Sequence, residues 1–106
     1  MPLITKRATA QRDLIAHYVY LAENANGEIA DRFLANAEAT FSALCQRPFI
    51  GAPLTLRHPD LAGMRKWRTT DFDNFLIFYV PRSDGVSIVR VLHAAQDWRT
   101  LLGLEA

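Results

Sequence analysis

Residues 74–97 constrain the fold more than any other stretch. They hold two runs rich in β-branched and aromatic side chains, Phe75-Leu76-Ile77-Phe78-Tyr79-Val80 and Val86-Ser87-Ile88-Val89-Arg90-Val91-Leu92, separated by Pro81-Arg82-Ser83-Asp84-Gly85. Such runs on either side of a Pro-to-Gly turn cluster predict a β-hairpin, here ending in polar chemistry at Arg90, His93 and Asp97. Successive strand residues face opposite sides, so Phe75, Ile77 and Tyr79 oppose Leu76, Phe78 and Val80, and both faces are apolar. The second arm sets Val86, Ile88 and Leu92 against Val89 and Val91, interrupted only by Arg90 and His93. A sheet apolar on both sides needs cover on both sides.

Residues 2–6, with Leu3 and Ile4 ahead of Lys6, predict a short first strand, and Thr9 is placed to cap the helix that follows. Over 10–23 the apolar positions Leu14, Ile15, Tyr18, Val19, Leu21 and Ala22 recur at helical spacing, with Gln11, Arg12, Asp13 and His17 toward the polar side. Asn24-Ala25-Asn26-Gly27 breaks the pattern, because Asn and Gly tolerate positive φ. A second helix over 28–45 aligns Ile29, Phe33, Leu34, Ala37, Phe41 and Leu44 on one stripe. So short a linker makes the helices antiparallel neighbours. Pro48 ends the second helix, and Phe49, Ile50, Leu54 and Leu56 hold the loop 48–61 against the body. Residues 63–70 predict a strand, 71–74 its tight connection into the hairpin, and Asp97 the cap of a short helix beginning at Trp98.

The expected architecture is therefore α+β, one domain over residues 1–106. A strand and an antiparallel helical hairpin pack on an antiparallel sheet with a C-terminal three-stranded meander and a short terminal helix. The helical pair covers one sheet face, and no other segment is large enough for the second. An apolar surface is left over, and surfaces of this kind mark partner sites.

Charge narrows the choice of partner. With 12 basic and 11 acidic residues the formal net charge is +1, whereas binding to a phosphate backbone draws on several Lys/Arg contacts and a basic excess. The cluster Arg65, Lys66 and Arg68 is the local exception. No apolar run approaches the roughly 20 residues that span a bilayer, and the amino terminus lacks a charged-then-apolar signal pattern, so a cytoplasmic protein is expected. The single cysteine, Cys45, sits among Phe41, Leu44 and Pro48 and reads as a small buried hydrophobe.

None of the three histidines, His17, His58 and His93, is spaced as part of a metal-ligand set, and no metal or cofactor is expected. Asp71 and Asp73 resemble a metal pair on paper, but acids in a turn have a local reason to be there. His93 ends a strand between Arg90 and Asp97, where a carboxylate would fix its tautomer for proton transfer; alternatively His93 bonds locally and Asp97 caps the last helix. Arg65 and Arg90 lie on strands of one sheet, so their cations can converge on the transition state of RNA cleavage or on acidic side chains of a partner.

Several motifs carry a resemblance. They are Ala10-x-x-Asp13-Leu14 with Tyr20, Ala30-x-x-Phe33, Pro48-x-x-Gly51, Leu61-x-Gly63-x-Arg65, Leu76-Ile77-Phe78-Tyr79 and, most specific with the last of these, Ile88-Val89-Arg90-Val91-Leu92-His93-Ala94-Ala95-Gln96-Asp97. Over essentially its whole length the chain resembles the ParE branch of the RelE/ParE superfamily, toxins of type II toxin–antitoxin (plasmid stabilisation) modules. The resemblance implies a cognate ParD-like antitoxin of ribbon-helix-helix type that wraps the toxin and supplies any contact with DNA. Candidate antitoxin contacts are Leu14, Tyr18, Phe33, Leu76, Phe78, Val80, Val89 and Val91. It also implies a target. The ParE branch poisons DNA gyrase without being an enzyme, and Arg65, Trp67, Arg90, His93, Asp97 and Trp98 are the candidate contacts. The RelE branch cuts mRNA in the ribosome, for which Arg65, Arg68, Arg90 and His93 would supply charge and proton transfer. A third reading is a non-toxic binding partner, because Gln96 stands where the family often has Arg. Charge balance and the His-x-x-x-Asp ending favour the gyrase reading over the ribonuclease.

Overall fold

The computed structural model describes residues 3–55 and 59–103. Strand β1 (Leu3–Lys6) leads into helices α1 (Ala8–Asn24) and α2 (Gly27–Gln46). A two-residue strand β2 (Ala52–Pro53) and one 3-10 turn (Pro59–Leu61) precede β3 (Arg65–Thr69), β4 (Phe72–Arg82), β5 (Gly85–His93) and the short helix α3 (Trp98–Leu101). The strands form one sheet in the order β1-β5-β4-β3-β2. The meander is antiparallel as expected, but β1 pairs parallel with β5, from Leu3 opposite Gly85 to Lys6 opposite Ile88, so the sheet is mixed. That pairing needs Gly85, because a Cβ at its φ of 155° would collide with the Leu3 carbonyl.

Asn26 starts α2 by accepting the Ile29 amide at 2.8 Å, the local reason that the linker ends where it does. Thr9 does not cap α1. The helix begins at Ala8, two residues earlier than expected, with Arg7 at the N-cap, and the Thr9 hydroxyl donates to the Val89 carbonyl at 2.9 Å. On the helix side of the sheet, Leu14, Phe33, Ala37, Phe41 and Leu44 pack on Phe75, Ile77, Tyr79, Val86, Ile88 and Val91.

Two expectations about the hairpin are corrected. First, the pairing slips between Phe78 and Tyr79, so that Phe78 faces Arg90 while Tyr79 faces Ile88. This bulge reverses the inside-outside sense of the rest of β5. Val91 joins Val86 and Ile88 on the helix side and Leu92 joins Val89 on the other. Second, the far face is not left open. Met64, Phe78, Val80, Val89, Leu92 and Leu102 form a second core, with Leu54, Leu61, Leu76 and Trp98 packed against it. The loop before β3 and the α3 segment supply this cover; neither is long, but between them they place bulky side chains over the sheet.

Candidate binding surfaces

The bulge aims Arg90 at α1. Its Nε donates to Asp13 Oδ2 at 2.7 Å and its Nη2 to Oδ1 at 2.9 Å, and Oδ2 also accepts the Val91 amide at 3.0 Å. The hydrogen bond to Asp13 raises the Arg90 pKa, so the guanidinium stays charged. One turn on, His17 Nε2 lies 2.7 Å from the Val91 carbonyl, which fixes the proton on Nε2. Thr9, Asp13 and His17 are successive residues at a spacing of four on α1 and thus share one face. Parallel pairing with β1 ends at Ile88, and beyond it these side chains occupy the Val89 carbonyl, the Val91 amide and the Val91 carbonyl. A helix face does the work of a missing strand.

The rest of the rim is structural. His93 Nδ1 accepts the Ala95 amide at 3.0 Å, and the Gln96 side chain accepts the His93 amide at 2.6 Å. Asp97 caps α3, accepting from the Thr100 hydroxyl at 2.6 Å and from its amide at 3.4 Å. Asp97 therefore faces the helix and not His93. Trp98 stacks near Phe78, with Lys66 4.8 Å and Arg99 4.5 Å from its ring centre.

On β3, Arg65 Nη1 donates to the carbonyls of Gly51 at 2.7 Å and Phe49 at 3.1 Å. The Tyr79 hydroxyl secures the same loop, donating to Pro48 O at 2.7 Å and accepting the Gly51 amide at 3.0 Å. Trp67 packs on the helix-side core, and Arg68 lies over its ring at 4.8 Å, with its Nε 3.8 Å from exposed Asp73. Arg65 and Arg90 therefore do not converge; their partners belong to the loop after α2 and to α1. Asp71 takes a φ of 63° in the β3–β4 turn, a conformation Asp tolerates. Among the described residues no three His, Cys, Asp or Glu gather as a metal site. His58 and Leu56 lie outside the described residues. Cys45 is half-buried, its thiol 3.6 Å from the Leu3 carbonyl and its pKa raised by burial.

Of the residues expected to meet an antitoxin, Phe33, Phe78 and Val91 have no exposed surface, Val80 and Val89 are buried and Leu76 is half-buried in the far-side core. The apolar surface left over is elsewhere. Leu14, Ile15, Tyr18 and Leu34 line a groove of about 230 Å³ on the outside of the helical hairpin. Ile15 is 65% and Leu34 38% exposed, and Tyr18 bridges the helices by donating to Asp31. Leu14 and Tyr18 were legible as candidates; Ile15 and Leu34 read as core-facing members of their stripes. Asp13 and His17 were also missed, since only the bulge brings β5 polar groups to them.

These features define a small α+β domain with a helical hairpin on a mixed sheet. The match of residues 4–98 to the family model "ParE toxin of type II toxin-antitoxin system, parDE" shows that the chain belongs to that family. A solved structure described as the chromosomal ParDE TA system from P. aeruginosa has the same fold, with a TM-score of 0.69 at 19% identity over 88% of this chain and 96% of that one. No curated protein gives a significant match. Among the described residues no helix is long and apolar enough to cross a membrane.

Proposed function

We propose that the chain arrests growth by binding DNA gyrase in the cytoplasm, and that a cognate ParD-like antitoxin of ribbon-helix-helix type holds it inactive. The observation that carries this reading is the engagement of the groups a ribonuclease would use. Arg90 is committed to Asp13, Arg65 to two loop carbonyls, and His93 Nδ1 to the Ala95 amide. A metal-independent nuclease needs cations aimed at one phosphate; Arg65 points to the loop after α2 and Arg90 to α1, so the two do not converge. A net charge of +1 leaves contact with DNA to the antitoxin.

The antitoxin docks on the hairpin groove, where Leu14 and Tyr18 are joined by Ile15 and Leu34. Of the residues expected on the target side, His93, Asp97 and Trp98 lie together at the α3 rim, and the target contact draws on these. The family match and the fold shared with a ParDE system support the antitoxin half of this reading. Expression without the antitoxin should cause filamentation and a DNA-damage response while translation continues. Immediate arrest of protein synthesis with cleaved mRNA would overturn the gyrase reading in favour of the nuclease.

A further inference from the structure

Phe49 is the most exposed large apolar residue among the described residues, at 69%, yet it sits on one of the best-anchored loops. Four hydrogen bonds hold its neighbourhood: Tyr79 to Pro48, Gly51 to Tyr79, and Arg65 to both Phe49 and Gly51. Gly51 has to be glycine for this, because a Cβ there would stand 2.6 Å from the Tyr79 hydroxyl and 2.9 Å from the Lys66 carbonyl. The exposed phenyl ring is thus presented by a fixed scaffold, with the Arg65 guanidinium 5.0 Å from its centre. Rigidly presented aromatic and arginine side chains are what protein interfaces use as anchors, because little entropy is lost on contact.

The ring forms one wall of a cavity of about 380 Å³, completed by Gly63, Arg65, Pro81, Arg82 and Ser83. Arg82, exposed at the end of β4, is its second cation. Among the residues whose side chains are described, which leaves out Asp60, neither Arg65 nor Arg82 has a carboxylate within salt-bridge distance. We propose that this cavity is a docking pocket for an acidic peptide segment of a protein partner, taking an apolar side chain against Phe49 and Pro81 and an adjacent carboxylate between Arg65 and Arg82. The lining matches that combination, an apolar slot with a few convergent polar groups. Two cations on a chain of net charge +1 suit one carboxylate better than a phosphate backbone, which is held through many contacts. The pocket lies at the β4–β5 turn, at the opposite end of β4 and β5 from His93, so it is separate from the rim and from the hairpin groove.

The inference rests on the reading that the chain works by binding proteins, but its test uses neither gyrase nor antitoxin, so the two stand or fall separately. The ¹⁵N-labelled chain is titrated with acetyl-Leu-Glu-amide, acetyl-Leu-Gln-amide, inorganic phosphate and a short oligothymidylate. The Glu peptide should saturably shift the amides of Phe49, Gly63 and Ser83, and the Gln peptide should bind about tenfold more weakly, the usual effect of losing a charge-assisted hydrogen bond. R82Q and F49A, both at exposed side chains, should weaken the Glu peptide by a similar factor while leaving the remainder of the spectrum in place. Equal binding of the two peptides, no effect of either substitution, no shift at all, or stronger shifts of the same amides by phosphate or oligothymidylate would each overturn the assignment.

Discussion

Asp13 on α1 accepts both donors of the Arg90 fork and the amide of Val91, so a single carboxylate neutralises the charge on β5 and closes its exposed edge. Both side chains are largely buried, at 22% and 12% exposure for Arg90 and Asp13. Breaking a pair of this kind from one side strands the other charge and costs about 3–5 kcal/mol when fully buried. D13A should therefore lower unfolding stability by about 2–4 kcal/mol. In a double-mutant cycle with R90M, the doubly substituted chain should recover part of the loss. Additive effects in chemical denaturation would mean that the pair contributes no coupling.

His17 predicts a pH dependence. Its burial against Phe33 and Phe75 lowers its pKa below the ordinary 6.5, outweighing the opposing effects of the Val91 carbonyl and Asp13. For a base whose folded-state pKa is depressed, the unfolded chain takes up the proton first. The contribution is complete above 6.5 and is lost as pH falls from there through the lower folded value. Stability should fall below pH 6.5 in the parent and fall less steeply in H17Q, measured as urea midpoints across the acid range. Parallel profiles would remove His17 from the account.

The loop anchored by Tyr79 should depend on its hydroxyl. Y79F leaves the buried Gly51 amide and the Pro48 carbonyl without their partner, a loss of about 1–3 kcal/mol. At this chain length that is a fall in Tm of roughly 4–8 °C per kcal/mol. G51A should cost a similar amount through overpacking against the same hydroxyl. A Tm unchanged in Y79F would show that water replaces the hydroxyl without loss.

How far the sequence was legible follows from the range of the interactions involved. Helical spacing and the alternation of β4 placed Phe33, Phe41, Ile77 and Tyr79 in the core, and the structure keeps them there. The parity of β5 failed at one point, the bulge opposite Phe78 and Tyr79, where an extra residue leaves no mark in composition. Everything that depends on that point was also hidden, including the Asp13–Arg90 pair and the seat of Val91. The far-side core was missed for another reason: its cover comes from Leu54, Leu61, Met64 and Leu102, scattered over loop and tail where no period marks them. Asp97 as a cap was readable because capping is local.

Gln96 has a defined structural task that arginine cannot perform. Its side-chain oxygen accepts the His93 amide at 2.6 Å, and a guanidinium has no acceptor. Q96R should lose about 0.5–1.5 kcal/mol of stability and loosen the turn that positions His93 and Asp97. Faster amide exchange at His93 and Ala95 is the check; unchanged exchange would show that the turn holds without the side chain.

The hairpin groove separates surface from core among the apolar residues of the helices. Ile15 at 65% exposure contributes little to the fold, so I15D should change stability by less than about 1 kcal/mol, while Leu34, more than half buried at 38%, should cost about 1–2 kcal/mol as L34D. Phe33, with no exposed surface, should cost about 3–5 kcal/mol on truncation to Ala. If the groove seats an apolar segment of the antitoxin, the two Asp variants should fold normally and inhibit growth, yet escape neutralisation, because a carboxylate buried in an apolar contact is left without a partner. Co-expression rescue is the measurement, paired with the thermal shift that the antitoxin gives the parent chain. Full rescue of I15D and L34D, with an undiminished thermal shift, would place the antitoxin on another surface.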